Sequence, residues 1–578
     1  MTKERTDASR QVPFRAGGFS TLAEALDYAA LSGNSLTFHD GRGGIAHEMT
    51  YADMARQAKA MAGRLLEKGL MRGSRVALMA TTEPEFFIAF FACQYAGLIA
   101  CPVPYMTRLG MRDEYVENVA RMMRTAGVAV ALGSPDYLGA IRDAALKADV
   151  PMVLAYDELA GQPRGAPHLK PLGPDETAYI QFSSGSTSAP KGIVISQQAI
   201  CANTTSILRD GFHAQAADRG FSWLPLYHDM GLVGSFLSPL VGQHSMHYMA
   251  PHDFSRRPWL WVRLISKHRC TISFGSSFAY ELLVKQAQRA KREALDLSRW
   301  RIAGVGGDMV RPEVLLAFAE EFADSGFRRA AFMPSYGMAE MTLAVSMHAP
   351  EEDIVLDVVE RDSYKTMRRA VPAKSDGDEK SVRAFIACGR PLPGTDVRIV
   401  DDQGRRLGER EIGHIEVKSP SLMDGYFKNP EATEIAMSED GFLKTGDMGY
   451  WLNGQLVITG RVKDLILYHG RNIWAHDIEW TAEKVDGVRT GLVAAFGVEN
   501  LDGQERVVVL VEARSRDRAE NVRLCEEVKS RVHHAIGVPC EVYLVGRNTL
   551  AYTYSGKLAR SKVREAFEKG EINLVDLP

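Results

Sequence analysis

Thr177–Ser196 reads TAYIQFSSGSTSAPKGIVIS, and the fold class follows from it. An alternating strand pattern runs into a loop of hydroxyls and glycine, then Lys191, then a second apolar run. Backbone N–H groups and Ser/Thr hydroxyls in such a loop can wrap phosphates while a lysine neutralises their charge. It is not a Walker A loop, because GxxxxGK[ST] is absent and a strand rather than a helix is expected to follow. A Ser/Gly-rich surface turn is the ordinary alternative for the stretch taken alone.

Upstream, from Ser20 to about Ala160, helical periodicity alternates with short apolar runs: PEFFIAFFACQYAG then LIACPV, and YVENVARMMRTAG then VAVALG. That rhythm predicts a largely parallel sheet with helices on both faces. Phe86 to Val103 is nearly all apolar, but Gln94, Gly97 and Pro102 interrupt it, so a buried helix running into a buried strand is expected rather than a membrane span. Ala199–Ala349 has the same character and predicts a second, similar layer. Between Cys388 and Thr459 short strands with turns, such as GHIEVKSP and GYWLNGQLVITG, predict a small β-rich subdomain. After Arg461 the pattern is that of a compact α+β piece. The expected architecture is therefore α/β: a large N-terminal domain, 1–462, of two α/β layers and a β-rich subdomain, followed by a smaller, mobile α+β C-terminal lobe, 463–578.

The chain's 578 residues exceed what one compact core accommodates, and 46% hydrophobic with 24% charged residues is a globular composition. The formal net charge is -3 and no Lys/Arg block is long enough to track a phosphate backbone, so nucleic acid is not an expected partner. Seven scattered cysteines without CxxC spacing read as reduced structural thiols. The first fifteen residues lack an apolar h-region and carry Glu4 and Asp7, which points to a cytoplasmic location.

Three further segments carry possible chemistry. In FMPSYGMAEMT, Phe332–Thr342, Tyr336 could stack on a base and Glu340 could hold Mg²⁺; a core tyrosine and a solvated glutamate are the plain alternatives. KTGDMGYW, Lys444–Trp451, puts Asp447 in a tight turn, where its carboxylate could accept both ribose hydroxyls or merely stabilise the turn. AYTYSGKLAR places Lys557 behind a flexible Ser-Gly pair, where a surface lysine is the default.

Taken in order, SSGSTSAPKG, YGMAE, KTGD with GRVKDLILYHGRNIWAHDIE, and SGKLAR resemble the core motifs of the adenylate-forming superfamily of acyl-CoA ligases, luciferases and peptide-synthetase adenylation domains. Within it the chain is most similar to the fatty acyl-AMP ligases, through FSTLAEAL, SWLPLYHDMGLVG, RRPWLWVRLISKHR, YGMAEMTLAV and CGRPLPGTDVRIVD, and through Ala339 where CoA ligases usually carry threonine. A long stretch at about 350–385 resembles the insertion that packs on the large domain of those ligases and restrains the terminal lobe; a tolerated surface loop is its alternative.

The resemblance implies ATP-dependent activation of a fatty acid as acyl-AMP, with Mg²⁺, and transfer to the phosphopantetheine arm of an acyl carrier protein. An acyl-CoA ligase is the nearest alternative, a non-catalytic nucleotide- and acyl-binding protein a more distant one. It implies that Ser183, Ser184, Gly185, Ser186, Thr187 and Lys191 cradle the β- and γ-phosphates. Gly306, Gly307, Asp308 and the run Ser335, Tyr336, Gly337, Met338 and Ala339 would line the adenine pocket, and Asp447 with Arg461 would bind ribose. Glu340, with Thr187, would position Mg²⁺, Lys557 would contact the substrate carboxylate and α-phosphate, and Lys463 would be the hinge. Trp223, His228, Met230 and Gly231 would stand near the mouth of an acyl tunnel. Ser188, Gln197, Ser276, Ser277, Asp308 and Ala551 depart from the family's usual residues.

Overall fold

Along the strand Arg75–Met79, Val76 and Leu78 enter one buried cluster and Ala77 and Met79 another, so this strand is covered on both faces. The computed structural model describes residues 12–106, 112–163, 168–183, 190–287, 294–374, 381–468, 471–499, 505–513, 517–553 and 557–575. The strand belongs to a seven-stranded sheet in the order Gly425–Tyr426, Gly192–Ser196, Thr177–Phe182, Ile99–Val103, Arg75–Met79, Val130–Gly133, Val153–Ala155. Its centre is parallel, while Thr177–Phe182 and Gly192–Ser196 pair antiparallel around the hydroxyl-rich loop.

A nine-stranded sheet forms the second layer, parallel from Ser35–His39 through Ser245–Met249, Arg219–Ser222, Ile272–Gly275 and Ile302–Val305 to Phe332–Gly337, with antiparallel edges. Here one expectation is corrected. Strands Ser35–His39 and Ile45–Thr50, read as part of the first layer, pair into the second, with Leu36 opposite Met246. A partner some 200 residues away leaves no mark on local periodicity.

Between the sheets lies the helix Pro84–Ala96, in which every residue from Phe86 to Ala96 is buried. Phe87 meets Phe236 and Tyr248 with ring centroids 4.4 and 5.0 Å apart. A helix apolar all round is one surrounded by protein, as the sequence predicted. Its single polar interruption is bonded throughout: Gln94 Nε2 donates to the Ala178 carbonyl, and Gln94 Oε1 accepts from Gln197 Nε2 at 2.7 Å. Gln197 Oε1 in turn accepts the Leu22 amide. The departure at Gln197 therefore ties three elements together.

The β-rich part is a four-stranded antiparallel sheet, Asp396–Val400, Gly413–Lys418, Leu443–Leu452 and Gln455–Arg461. Asn453 and Gly454, both at positive φ, form the turn of its last hairpin. The 350–385 stretch contributes a strand pair, Leu356–Glu360 with Val382–Ile386. Val359, Tyr364 and Phe385 pack with Met448, Tyr450 and Trp474, so the segment is docked and not a loose loop. Beyond it, the sheet Val493–Glu499, Glu505–Glu512, Cys540–Val545 and the helices Ala475–Ala482 and Arg518–Ile536 build clusters of their own. All seven cysteines are free thiols. Among the described residues, no helix is long and apolar enough to cross a membrane.

One buried ion pair supports the segment leading into the site. Arg301 Nη2 lies 2.6 Å from Asp218 Oδ2, and Arg301 also donates to the Phe212 carbonyl. Burial alone would raise the Asp218 carboxyl, but Arg301 and the Gln215 amide outweigh it and hold the group below the usual carboxylate range. The stabilisation from Asp218 is therefore full above about pH 4 and is lost as pH falls below it. Arg301→Ala leaves Asp218 buried and unpaired and is expected to cost about 3–5 kcal/mol. Scanning calorimetry should show the lowered Tm, with partial recovery in an Asp218→Asn, Arg301→Met double variant.

Candidate active site

Carboxyl ends of parallel strands are where open α/β sheets place their ligands. Ser183 follows the strand Thr177–Phe182, Gly306 and Gly307 follow Ile302–Val305, and Met338 follows Phe332–Gly337. These ends open onto one cavity of about 490 Å³, which the hairpin residues Asp447 and Arg461, and Lys463 and Lys557 beyond them, also line.

Tight backbone contact shapes the turn that carries Glu340. A Cβ on Gly337 would stand 1.8 Å from the Leu343 carbonyl oxygen, so only glycine fits. Thr342, β-branched and buried, sits at φ 64, a costly conformation offset in part by its hydroxyl donating to the Ser421 carbonyl at 2.7 Å. The chain thus doubles back sharply, and Met338, Ala339 and Glu340 face the cavity. Gly307, at φ +80, is similarly constrained, since a Cβ there would meet Met230 Sδ at 2.7 Å.

The hairpin register sets Asp447 directly opposite Arg461, and their side chains pair at 3.2 Å. The buried hydroxyl of Tyr336 donates to the other Asp447 oxygen at 2.7 Å. Asp447 is therefore part of the strand Leu443–Leu452 and not of a tight turn, a correction to the reading from KTGD. Its pairing partner sits across a hairpin, where register and not turn geometry aims the carboxylate.

Four cations line the cavity: Lys191, Arg461, Lys463 and Lys557. Burial pulls the Lys557 amine below the usual lysine range and Arg461 adds to this, while Asp308, Asp229 and Asp447 oppose it. Lys463 is lowered for the same first reason, and again Arg461 reinforces it. Lys191 lies 4.4 Å from the centre of the Tyr426 ring, whose hydroxyl donates to Glu340 Oε1 at 3.0 Å. Burial raises Glu340, so this carboxylate is destabilised where it stands. An oxygen donor in that state suits a hard cation such as Mg²⁺.

Position of the lysine is set nearby. The Lys557 carbonyl accepts the Thr553 amide at 2.7 Å, and three residues on Arg560 pairs with Asp464 at 2.8 Å and with Glu479 at 2.6 Å.

The cavity's lining also includes the apolar residues Ile207, Phe212, Phe274, Leu343 and Met347. Segments Ile207–Gly211 and Met230–Leu237 beside it are wound as π-helix, a form concentrated at functional sites. His228 and Met230 are among the residues that line the cavity. Trp223 stacks on Phe254 at 3.7 Å, and a Cβ on Gly231 would meet the Pro225 carbonyl at 2.0 Å.

Of the other sequence candidates, Ser183, Lys191, Gly306, Gly307, Ser335, Tyr336, Gly337, Met338, Ala339, Glu340, Asp447, Arg461, Lys463 and Lys557 come together here. Asp308 acts on Lys557 by its charge alone and accepts the Met309 amide. Ser184, Gly185, Ser186 and Thr187 lie outside the described residues. Asp229 and Tyr426 are among the lining residues that the sequence reading did not name. Asp229 is buried on the cavity wall, 2.6 Å from His228; burial raises it, but the charge of His228 and that of Lys557 bring it below the usual range. Tyr426 arrives on a two-residue strand paired with Ile193, and nothing local marks it.

The AMP-binding enzyme family model matches residues 26–427. A protein of Caulobacter vibrioides named "Putative acyl-CoA synthetase" is 41% identical, covering 98% of each chain. The medium-chain-fatty-acid–[acyl-carrier-protein] ligase JamA of Moorena producens is 30% identical over 96% of each. A solved chain from a study of fatty acyl-adenylate ligases from E. coli and L. pneumophila superimposes with a TM-score of 0.91 at 37% identity, covering 97% of this chain and 100% of that one. With that match over most of its length and these sites in one cavity, the chain belongs to the AMP-binding enzyme family.

Proposed function

We propose that this protein activates a fatty acid with ATP as its acyl-adenylate, releasing pyrophosphate, and passes the acyl group to the phosphopantetheine thiol of an acyl carrier protein. The observation that carries the reading is a single cavity whose described lining includes the cations Lys191, Arg461, Lys463 and Lys557 together with the apolar residues Ile207, Phe212, Phe274, Leu343 and Met347. A lipid carboxylate and a nucleotide triphosphate fit that lining.

The acid's carboxylate oxygen bonds to the α-phosphorus, and the bond from that phosphorus to the bridging oxygen breaks as pyrophosphate leaves. Both reactants are anions, so positive charge and in-line positioning are what the site must supply. Lys191 and Ser183 face the departing phosphates, and the sequence assigns Ser184, Gly185, Ser186 and Thr187 to the same task. Asp447 accepts the ribose hydroxyls, held by Tyr336 and Arg461, and Gly306 and Gly307 let the base approach the backbone. Glu340, with Thr187, would hold Mg²⁺, which neutralises phosphate charge. Lys557 contacts the carboxylate and α-phosphate. In the second step the carrier thiol attacks the acyl carbonyl and AMP departs. We place both steps in the cytoplasm, where ATP is supplied.

The choice of acceptor rests on the docked insertion. Arg383 forms an ion pair with Asp477, donates to His476 Nε2 at 3.2 Å, and lies 5.2 Å from the Trp480 ring centre. Asp357 on the partner strand is held by Arg410 at 3.1 Å and by the Tyr450 hydroxyl at 2.6 Å. In this reading residues 463–578 move as a lobe about Lys463, and the insertion limits the swing that thioester formation with CoA requires. The name of the Caulobacter relative favours CoA as a second reading.

Mass spectrometry of purified protein with ATP, Mg²⁺ and laurate or palmitate is expected to show acyl-AMP and pyrophosphate, with acyl transfer to holo carrier protein much faster than to CoA. No pyrophosphate with any fatty acid would sink the proposal, and rapid acyl-CoA formation would replace its second half. Lys557→Ala is expected to slow pyrophosphate release on the order of 10²–10³, with ATP still bound in a calorimetric titration. Arg383→Ala should raise acyl-CoA formation several-fold while acyl-AMP formation changes far less; equal loss of both would argue against the restraint.

A further inference from the structure

We propose that His39, His247 and His268 form a binding site for a divalent transition-metal ion of the zinc class, set near the edge of the nine-stranded sheet and separate from the nucleotide cavity. His39 ends the strand Ser35–His39, His247 belongs to its parallel neighbour Ser245–Met249, and His268 closes the helix Trp259–His268. In the strand register Thr37 lies opposite His247, which puts His39 two residues further along on the same face. The helix end brings the third ring onto the pair, with centroids 4.9 Å from His39 and 4.3 Å from His247.

One nitrogen from each ring lies within 4.8 Å of one from each of the others. His39 Nε2 and His247 Nδ1 are 3.1 Å apart. Two imidazoles bound at 2.0–2.1 Å to a tetrahedral ion place their nitrogens roughly 3.3 Å apart, so this pair is already spaced for one. The third needs only to swing inward, and His268 is the least buried of the three.

An unpaired nitrogen gives the second argument. Among the described residues, His268 Nε2 is buried without a hydrogen-bond partner. Buried polar atoms are almost always satisfied, so an orphan nitrogen beside two other imidazoles calls for an absent partner. Lys267 and Arg219 act against a cation here and Asp40 favours one. Asp40 Oδ1 accepts the amides of Arg42 and Gly44.

Imidazole sets select zinc, cobalt, nickel or copper over magnesium, so this site does not compete for the ion used with ATP. Its strand stands four spacings from Phe332–Gly337, roughly 19 Å away in the sheet. The ion would therefore act as a staple between residues far apart in sequence, with no part in the chemistry.

The test uses tag-free, full-length protein stripped with a chelator and titrated with Co²⁺. One ion per chain is expected, with the visible bands of tetrahedral cobalt, displaced by Zn²⁺. His268→Gln and His39→Gln are each expected to weaken Co²⁺ binding at least tenfold and to abolish the rise in Tm that Zn²⁺ produces in the parent. Pyrophosphate release by His268→Gln with Mg²⁺ should match the parent. Absence of a stoichiometric ion in the parent would overturn the proposal, as would unchanged Co²⁺ bands in a folded variant of either histidine.

Discussion

Arg560 grips two carboxylates at once, Asp464 beside the strand end at Arg461 and Glu479 in the helix Ala475–Ala482, and the use of Lys557 depends on that grip. Lys557 belongs to a short connection, so its ammonium would otherwise sample solvent at little cost. With Arg560 anchored, the lysine is carried into a cavity where burial and Arg461 disfavour its charge and Asp308, Asp229 and Asp447 offset this only in part. Breaking such a buried pair on one side leaves an uncompensated charge, which makes the geometry close to all-or-none. The grip also joins the lysine's segment to residues flanking the strand pair Leu465–Tyr468 and Arg471–Trp474.

The large-domain wall opposite is rigid for a different reason. Gly337 lies against the Leu343 carbonyl, Gly307 against Met230, and Thr342 holds a conformation that β-branched residues avoid. Strain of this kind persists only where surrounding packing over-determines the backbone. The wall accordingly presents Tyr336, Ala339 and Glu340 to the cavity in one arrangement.

Much of this was legible from the chain alone where the relevant partners are near in sequence. The two strands around the hydroxyl-rich loop, the all-buried helix Pro84–Ala96 and the Asn453-Gly454 hairpin each follow from periodicity or turn chemistry within about twenty residues. The pairing of Asp447 with Arg461 was not implicit in that hairpin, because a register shift between Met448 and Gly449 moves Asp447 from Gly460 to Arg461. Asp229, Tyr426 and the true surroundings of Trp223 were not legible. Tyr426 reaches Glu340 only because a two-residue strand adds to the edge of a sheet built more than 200 residues earlier. Trp223 stacks on Phe254, a contact made by packing and not by neighbouring residues.

By itself the sequence determined the class of fold, the order of its parts and the identity of the charged groups, because side-chain chemistry and local periodicity are properties of neighbouring residues. Which strands share a sheet, and which carboxylate stands beside which cation, were decided only in three dimensions. Long-range pairing is selected by the burial of whole faces, to which each residue contributes a little and none contributes a readable signal. The three histidines show the same division: spread over 230 residues with no common spacing, they become a cluster only when two parallel strands and a helix end converge.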